Sequence, residues 1–466
     1  MKLSAFPDIS LPLLVAFITL VFMTGGGARW DILSLAILRP AAIGMVGYAL
    51  YRYGWPTSGS VAISSGALAA IAGIGLVQLI PLPPQVWGSL PGRDEMRTIS
   101  AIMGMEQLWR PMTLSPARTI NSVASLSVPL AIILWLPKIE RQNRPKVLLA
   151  IAIIATLSMI AGMLQILMGQ SSPFYFYENS NRDSATGLFS NRNHHSVFLA
   201  TLVPFAFVFI RQSVQNTTNH WYRAAALIFL TLLILMIPAT GSRAGVAIGL
   251  LAFGASVWLT RDLWGRLGMH RSANPQIARA WAVAMLFIVV TVVSTLAIAV
   301  YNGRITSVER FYTEGYGSEI RIQQLPYIYQ MTKDFFPFGV GLGAFELAYY
   351  KFEPEKSIGS PYMNHVHNDW LQIVVEMGGL GLIVLAFIIY MYTKFIAELF
   401  KRWNSCTEDA FLMTAALISI TSLGLASIFD YPIRVPSIMA WAAILVVIMI
   451  DPKGWLGPSP MKGRRR

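Results

Sequence analysis

Long uninterrupted apolar stretches govern what this chain can become. Crossing a bilayer core takes about 20 mostly apolar residues in helical form. The sequence offers twelve such stretches, at 8–25, 32–51, 61–81, 120–136, 147–168, 195–210, 222–240, 244–260, 280–300, 370–392, 410–429 and 433–450. In lipid each backbone N–H and C=O must be satisfied within its own segment, so these stretches predict helices. Hydrophobic residues are 55% of the 466 and charged residues only 13%, against about 25% charged in soluble domains. Most of that apolar surface must therefore face lipid. The expected fold is an all-α polytopic membrane protein with about 12 transmembrane helices. The first stretch reads as a span rather than a cleavable leader, because Lys2 is its only basic flank and Gly25, Gly26 and Gly27 lead straight into the second.

Twelve spans put both termini on one side. Placing that side in the cytoplasm assigns the whole formal excess of +13 to the inner loops and tail, while the outer loops balance, as the positive-inside rule requires. Lys138 to Lys146 and the tail 451–466, with Lys462, Arg464, Arg465 and Arg466, supply much of it. Topology thus accounts for the basic charge without a nucleic-acid partner. The outer side receives three polar loops, 82–119, 169–194 and 301–369. The last is too long to be structureless, and a short helix is predicted from Ile320 to Lys333, ending before Pro337.

Residues able to carry chemistry gather at the outer ends of spans. One cluster is Ser190-Asn191-Arg192-Asn193-His194-His195, a second Thr240-Gly241-Ser242-Arg243-Ala244-Gly245, and a third Asn364-His365-Val366-His367-Asn368-Asp369, followed by Glu376, Gly378 and Gly381. Arg304, Arg310 and Arg321 precede the third. The single cysteine, Cys406, excludes a disulfide framework, and the six histidines form no HExxH pattern. Arg243 sits in a turn so short that it stays at the membrane boundary. Its rigid fork suits phosphate or carboxylate, although a snorkelling arginine bonded to helix-end carbonyls is the plainer account. His367 is placed to take a proton from a hydroxyl near neutral pH, with Asp369 or Glu376 to orient it; equally, Asn368 or Asp369 caps the next helix and the histidines bond loop carbonyls. Glu376 lies about two turns into its span, where an ionisable group is not expected to face lipid. Asn193 reads as a helix-start cap with Arg192 facing an anion, and adjacent His194 and His195 point apart, which argues against a metal site. Gly378 and Gly381 permit close helix packing.

In order, topology and spacing these segments resemble the bacterial O-antigen ligase and O-antigen or exopolysaccharide polymerase family of membrane glycosyltransferases. The similarity covers residues from about 70 to 450. It includes Gln78-Leu79-Ile80-Pro81-Leu82-Pro83-Pro84, Gly187 to His194, the Gly241 to Gly245 turn and Pro337-Phe338-Gly339-Val340-Gly341-Leu342-Gly343. Its most specific element is His367, Asn368, nine residues, then Gly378 to Gly381. The resemblance implies an integral-membrane glycosyltransferase fold of the GT-C type with a large periplasmic loop, in the bacterial inner membrane. It implies metal-independent transfer of a glycan from undecaprenyl pyrophosphate to a lipid A core or related acceptor. It makes His367, Arg243 and Arg321 catalytic, with Arg310 as the alternative to Arg321. Around them Arg192, Asn193, His194, Arg310, His365, Asn368, Asp369 and Glu376 are the candidate substrate-binding residues. The alternatives are a repeat-unit polymerase, which brings a chain-length regulator as partner, and a transporter for the lipid-linked glycan. A transporter requires basic residues through the membrane centre, where only Arg39 and Glu376 lie clearly within spans.

Overall fold

The computed structural model describes residues 9–215, 220–261, 320–357, 363–403 and 408–456. The expected span at 280–300, Arg304, Arg310 and the tail from 457 lie outside the described residues. The helices are α1 (Ser10–Thr24), α2 (Leu35–Tyr53), α3 (Gly59–Gln78), α4 (Pro84–Gly88), α5 (Asp94–Ile102), α6 (Pro116–Ser125), α7 (Ser127–Trp135) and α8 (Arg144–Met168). They continue with α9 (Arg192–Gln215), α10 (His220–Ala239), α11 (Arg243–Leu259), α12 (Ile320–Phe335), α13 (Phe345–Tyr349), α14 (Asp369–Trp403), α15 (Glu408–Ala426) and α16 (Pro436–Ile450). The strand content among the described residues is one antiparallel ribbon pairing Pro81 with Pro111 and Leu82 with Arg110.

Among the described residues, seven helical segments are long and apolar enough to cross a membrane, and three more apolar helices, α1, α11 and α16, are shorter. The chain is therefore an all-α, multi-pass membrane protein. Its centre is α9, packed on α10, α11 and α15 and buried along most of its length. Polar side chains in that interior are satisfied in pairs: Trp441 Nε1 donates to Thr201 Oγ1 at 2.9 Å, and Ser419 Oγ donates to the Thr201 carbonyl at 2.6 Å. Such matching removes the cost of burying a lone donor or acceptor. The helix expected from Ile320 to Lys333 runs to Phe335.

The break in α14 shapes everything around it. At Gly378 the backbone turns to φ 58° and ψ −132° inside the helix, a conformation that glycine tolerates best. The freed carbonyls find donors on the glycine-rich segment: Val340 N–H meets Val375 O at 3.0 Å, and Gly341 N–H meets Glu376 O at 3.1 Å. Gln78 Nε2 adds a third bond, to Glu376 O at 3.1 Å. The approach is so close that a Cβ on Gly378 would stand 2.1 Å from Pro337 O, and one on Gly339 2.6 Å from Glu376 O. Packing between helices is thus not what Gly378 and Gly381 provide. Gly378 ends one helical segment, and Gly381 faces Ile373 O of the segment before the break.

A histidine cluster at the helix ends

Three chain segments converge on one point. The first is the loop into α14, the second the connector between α15 and α16, and the third the start of α9. Asn368 Oδ1 accepts from Leu371 N–H at 2.9 Å and so caps α14. The preceding residue, His367, has φ 56° and is the one non-glycine residue with positive φ among those described. Backbone held in that region marks a site of stored strain.

Asp430, on the connector, lies at the middle. Its Oδ1 is 3.3 Å from His367 Nδ1 and 3.8 Å from His194 Nε2. Its Oδ2 accepts from Asn193 Nδ2 at 2.7 Å, and its own loop contributes Tyr431 N–H at 2.9 Å. Burial alone would raise this carboxyl, but the His194 and His367 imidazoles outweigh it and hold the group well below the usual carboxylate range. The Tyr431 ring packs against all three histidines, with centroids 5.0 Å from His194, 4.3 Å from His365 and 4.8 Å from His367. Burial, followed by the charges of Arg434, His367 and His194, pushes the His365 imidazole well below its ordinary 6.5.

A second carboxylate layer lies beneath. Arg434 reaches both oxygens of the fully buried Glu376, at 3.3 and 3.0 Å, and stands 3.6 Å from Asp369 Oδ1. Asp369 Oδ2 in turn accepts from Ser427 Oγ at 2.9 Å and Ile433 N–H at 3.2 Å. Gln372 Nε2 links the layers, bonding Glu376 Oε1 at 2.8 Å and His365 Nδ1 at 3.1 Å. A buried pair of this kind needs several partners to offset its desolvation, and here both acids have them.

Of the residues singled out in the sequence, His367, His365, His194, Asn193, Asn368, Asp369 and Glu376 come together. Helix-start capping at α9 falls to Asn191, whose Oδ1 accepts from Asn193 N–H at 2.8 Å. This frees the Asn193 side chain for Asp430. Arg192 Nη1 bonds Ser184 Oγ at 3.2 Å and lies 3.8 Å from Asp183. Arg243 opens α11 behind the Ser242 cap, and Gly245 in the same turn sits so tightly on Ser196 of α9 that a Cβ would meet its hydroxyl at 1.9 Å. Arg321 lies in the first turn of α12. Asp430, Tyr431 and Arg434 were not singled out by sequence reasoning. For Asp430 and Tyr431 the available signal was a charged, three-residue turn between the last two apolar stretches, the same boundary logic that isolates Arg243, and Arg434 stands at the second position of the last stretch.

The cluster borders a cavity of about 1240 Å³ whose lining includes His365, Asp369 and Arg434 together with apolar side chains of α3, α14 and α16. Among the described residues, no group of three or more His, Cys, Asp or Glu is arranged to hold a metal ion. Residues 226–386 match the family model described as O-Antigen ligase, a span that includes the Arg243 turn and the segment from His367 to Gly381. No curated protein matches the chain.

Proposed function

We propose that this chain, a member of the O-antigen ligase family and an enzyme of that type, transfers a glycan from undecaprenyl pyrophosphate to a lipid A core or related acceptor. The observation that carries this reading is the pair formed by His367 Nδ1 and a buried, ionised Asp430 at 3.3 Å. With Nδ1–H directed at Asp430, Nε2 keeps its lone pair for the acceptor hydroxyl. The hydroxyl oxygen attacks the anomeric carbon from the face opposite the carrier, its proton passes to His367 Nε2, and the bond to pyrophosphate breaks. Undecaprenyl pyrophosphate leaves with the electron pair. Asp430 stabilises the imidazolium that forms, while Arg243 and Arg321 take the growing pyrophosphate charge in place of a divalent ion. Arg192, Asn193, His194, Arg310, His365, Asn368, Asp369 and Glu376 shape the surrounding substrate site.

The same reading gives the chain a GT-C type fold of twelve spans in the bacterial inner membrane. Both termini are then cytoplasmic, with the basic tail 451–466 inside and the loops 82–119, 169–194 and 301–369 in the periplasm. Donor headgroup and histidine cluster meet at that outer face, and the prenyl chain remains in the bilayer. A second reading, repeat-unit polymerase, is favoured by the junction of Asn193 and His194 with His367 at Asp430, because the stretch Asn191 to His194 also resembles polymerase-like members. There the acceptor is another carrier-linked repeat, and a chain-length regulator is the partner.

Purified protein in lipid nanodiscs, supplied with lipid-linked glycan and either acceptor, separates the two readings by which acceptor is extended. His367→Ala should abolish transfer and leave donor binding in place. Arg243→Lys, which keeps charge but loses the planar fork, should lower donor turnover at unchanged protein level. Full turnover by His367→Ala would eliminate the base assignment, and loss of donor binding would move His367 to the pyrophosphate site.

A further inference from the structure

Between the middle of α5 and the two-stranded ribbon, apolar side chains turn outward. Ile99, Ile102, Met103, Met105, Leu108 and Trp109 are all exposed, with Ile102 at 81%, Met103 at 64% and Trp109 at 63%. Along α5 each residue turns about 100° from the last. This gathers Ile99, Ile102 and Met103 on one side and puts Asp94, Arg97 and Ala101 on the other. Nine residues are too few to cross a bilayer, and an exposed apolar run of this kind marks an interaction surface.

The helix is braced from elsewhere. Ser100 is buried, and its Oγ accepts from Arg110 Nη1 at 2.7 Å. Arg93, just before the helix, bonds the Met112 carbonyl and lies 5.4 Å over the Trp87 ring and 5.5 Å over the Phe335 ring. Glu95 pairs with Lys351 at 3.2 Å. The apolar side is therefore presented by a helix fixed to the protein. Its neighbour is a span: α3 is long and apolar enough to cross a membrane, and Leu76, Val77 and Ile80 at its end are exposed as well. The ribbon pairs Leu82 with Arg110, so Trp109 is held beside the point where α3 ends. Tryptophan favours the boundary between hydrocarbon and water.

We propose that α5 and the residues up to Trp109 lie along the bilayer surface, continuing the lipid-facing side of α3. The apolar side chains sit at the boundary of headgroups and acyl chains, and Asp94 and Arg97 remain in water. An amphipathic helix in this position buries its apolar face about 5–10 Å into that boundary. The occupant of the face is lipid. This seat requires only the membrane-spanning class of the chain and stands whether or not the chain transfers a glycan.

Spin labels read the seat directly. In a Cys406→Ser background, which removes the single native thiol, Ile102→Cys and Arg97→Cys place a label on either side of α5. The purified full chain is held one copy per nanodisc of phosphatidylethanolamine and phosphatidylglycerol. At 102 the label should collide with oxygen more than with a water-soluble nickel chelate, and the ratio should convert to about 5–10 Å below the phosphate level. At 97 the chelate should dominate. Met103→Cys serves as a second reporter if Ile102→Cys does not fold, and it should match the depth expected at 102. Equal chelate access at 102 and 97 would overturn the seat and leave the face open to water, as a soluble partner would need. Shielding at 102 found only when two copies share a disc, with dipolar coupling between their labels, would also overturn it and assign the face to a second copy of the chain.

Discussion

His194 and His195 are neighbours in sequence and equally buried, yet they occupy opposite kinds of environment. About 100° apart on α9, they face different partners. His195 is fully matched: Nδ1 lies 2.8 Å from Ala185 O and Nε2 3.1 Å from Ser158 Oγ. Ser158 Oγ also accepts from Leu188 N–H at 3.1 Å, while Gln165 Oε1 accepts from Thr186 and Gly187 N–H, both at 2.8 Å. This network ties the segment before α9 to α8. Both His194 ring nitrogens are buried without a hydrogen-bond partner, and its Asp430 contact at 3.8 Å exceeds hydrogen-bonding length. Burial does not distinguish the two. Their hydrogen bonds do, and a buried polar group left unmatched carries a cost that something else must offset.

The largest test of this contrast is Asp430→Asn. The substitution preserves shape but removes the negative charge facing His367, and kcat should fall by about 10²- to 10⁴-fold with little change in donor binding. A kcat near the parental value would mean that His367 needs no anionic partner.

Next come the two neighbours themselves. His195→Ala should lower stability by about 1–3 kcal/mol through the buried groups it leaves unmatched, read as a lower Tm, while activity per folded molecule stays near the parent's. His194→Ala should do the reverse, costing activity by about tenfold at nearly unchanged Tm. Identical profiles for the two variants would erase the distinction.

The smallest effect is a pH slope. His365 has a folded pKa well below 6.5, so the unfolded chain takes up the proton first. Its contribution to stability is present above pH 6.5 and is lost as the pH falls from there toward the folded pKa. The Tm should therefore decline on acidification through that window, and His365→Gln should flatten the decline. A parental slope in the variant would assign the titration to another group.

Much of the fold was legible because hydropathy is a local property. Apolar stretches at 61–81, 147–168 and 410–429 coincide closely with α3, α8 and α15, and 370–392 falls within the longer α14. The third polar cluster was legible for a similar reason, since chemistry-bearing residues packed into Asn364 to Asp369 stand out beside an apolar run. Glu376 could be recognised as anomalous within its span, but not its counter-ion. Asp369 and Glu376 were the only acids near His367 in sequence, and the carboxylate at its Nδ1 comes from Asp430, 63 residues away.

The amino-acid order by itself determined the helical, membrane-spanning class and the clustering of polar groups at span ends, because each depends on residues within about 20 positions of one another. Only the tertiary structure decided the partnerships. It paired Arg434 with Glu376, turned Gly378 from a packing residue into a helix break, and left His194 unmatched beside a satisfied His195. Hydrogen bonds and ion pairs depend on ångström-scale separations between segments distant in the chain, and those separations exist only once the helices have packed.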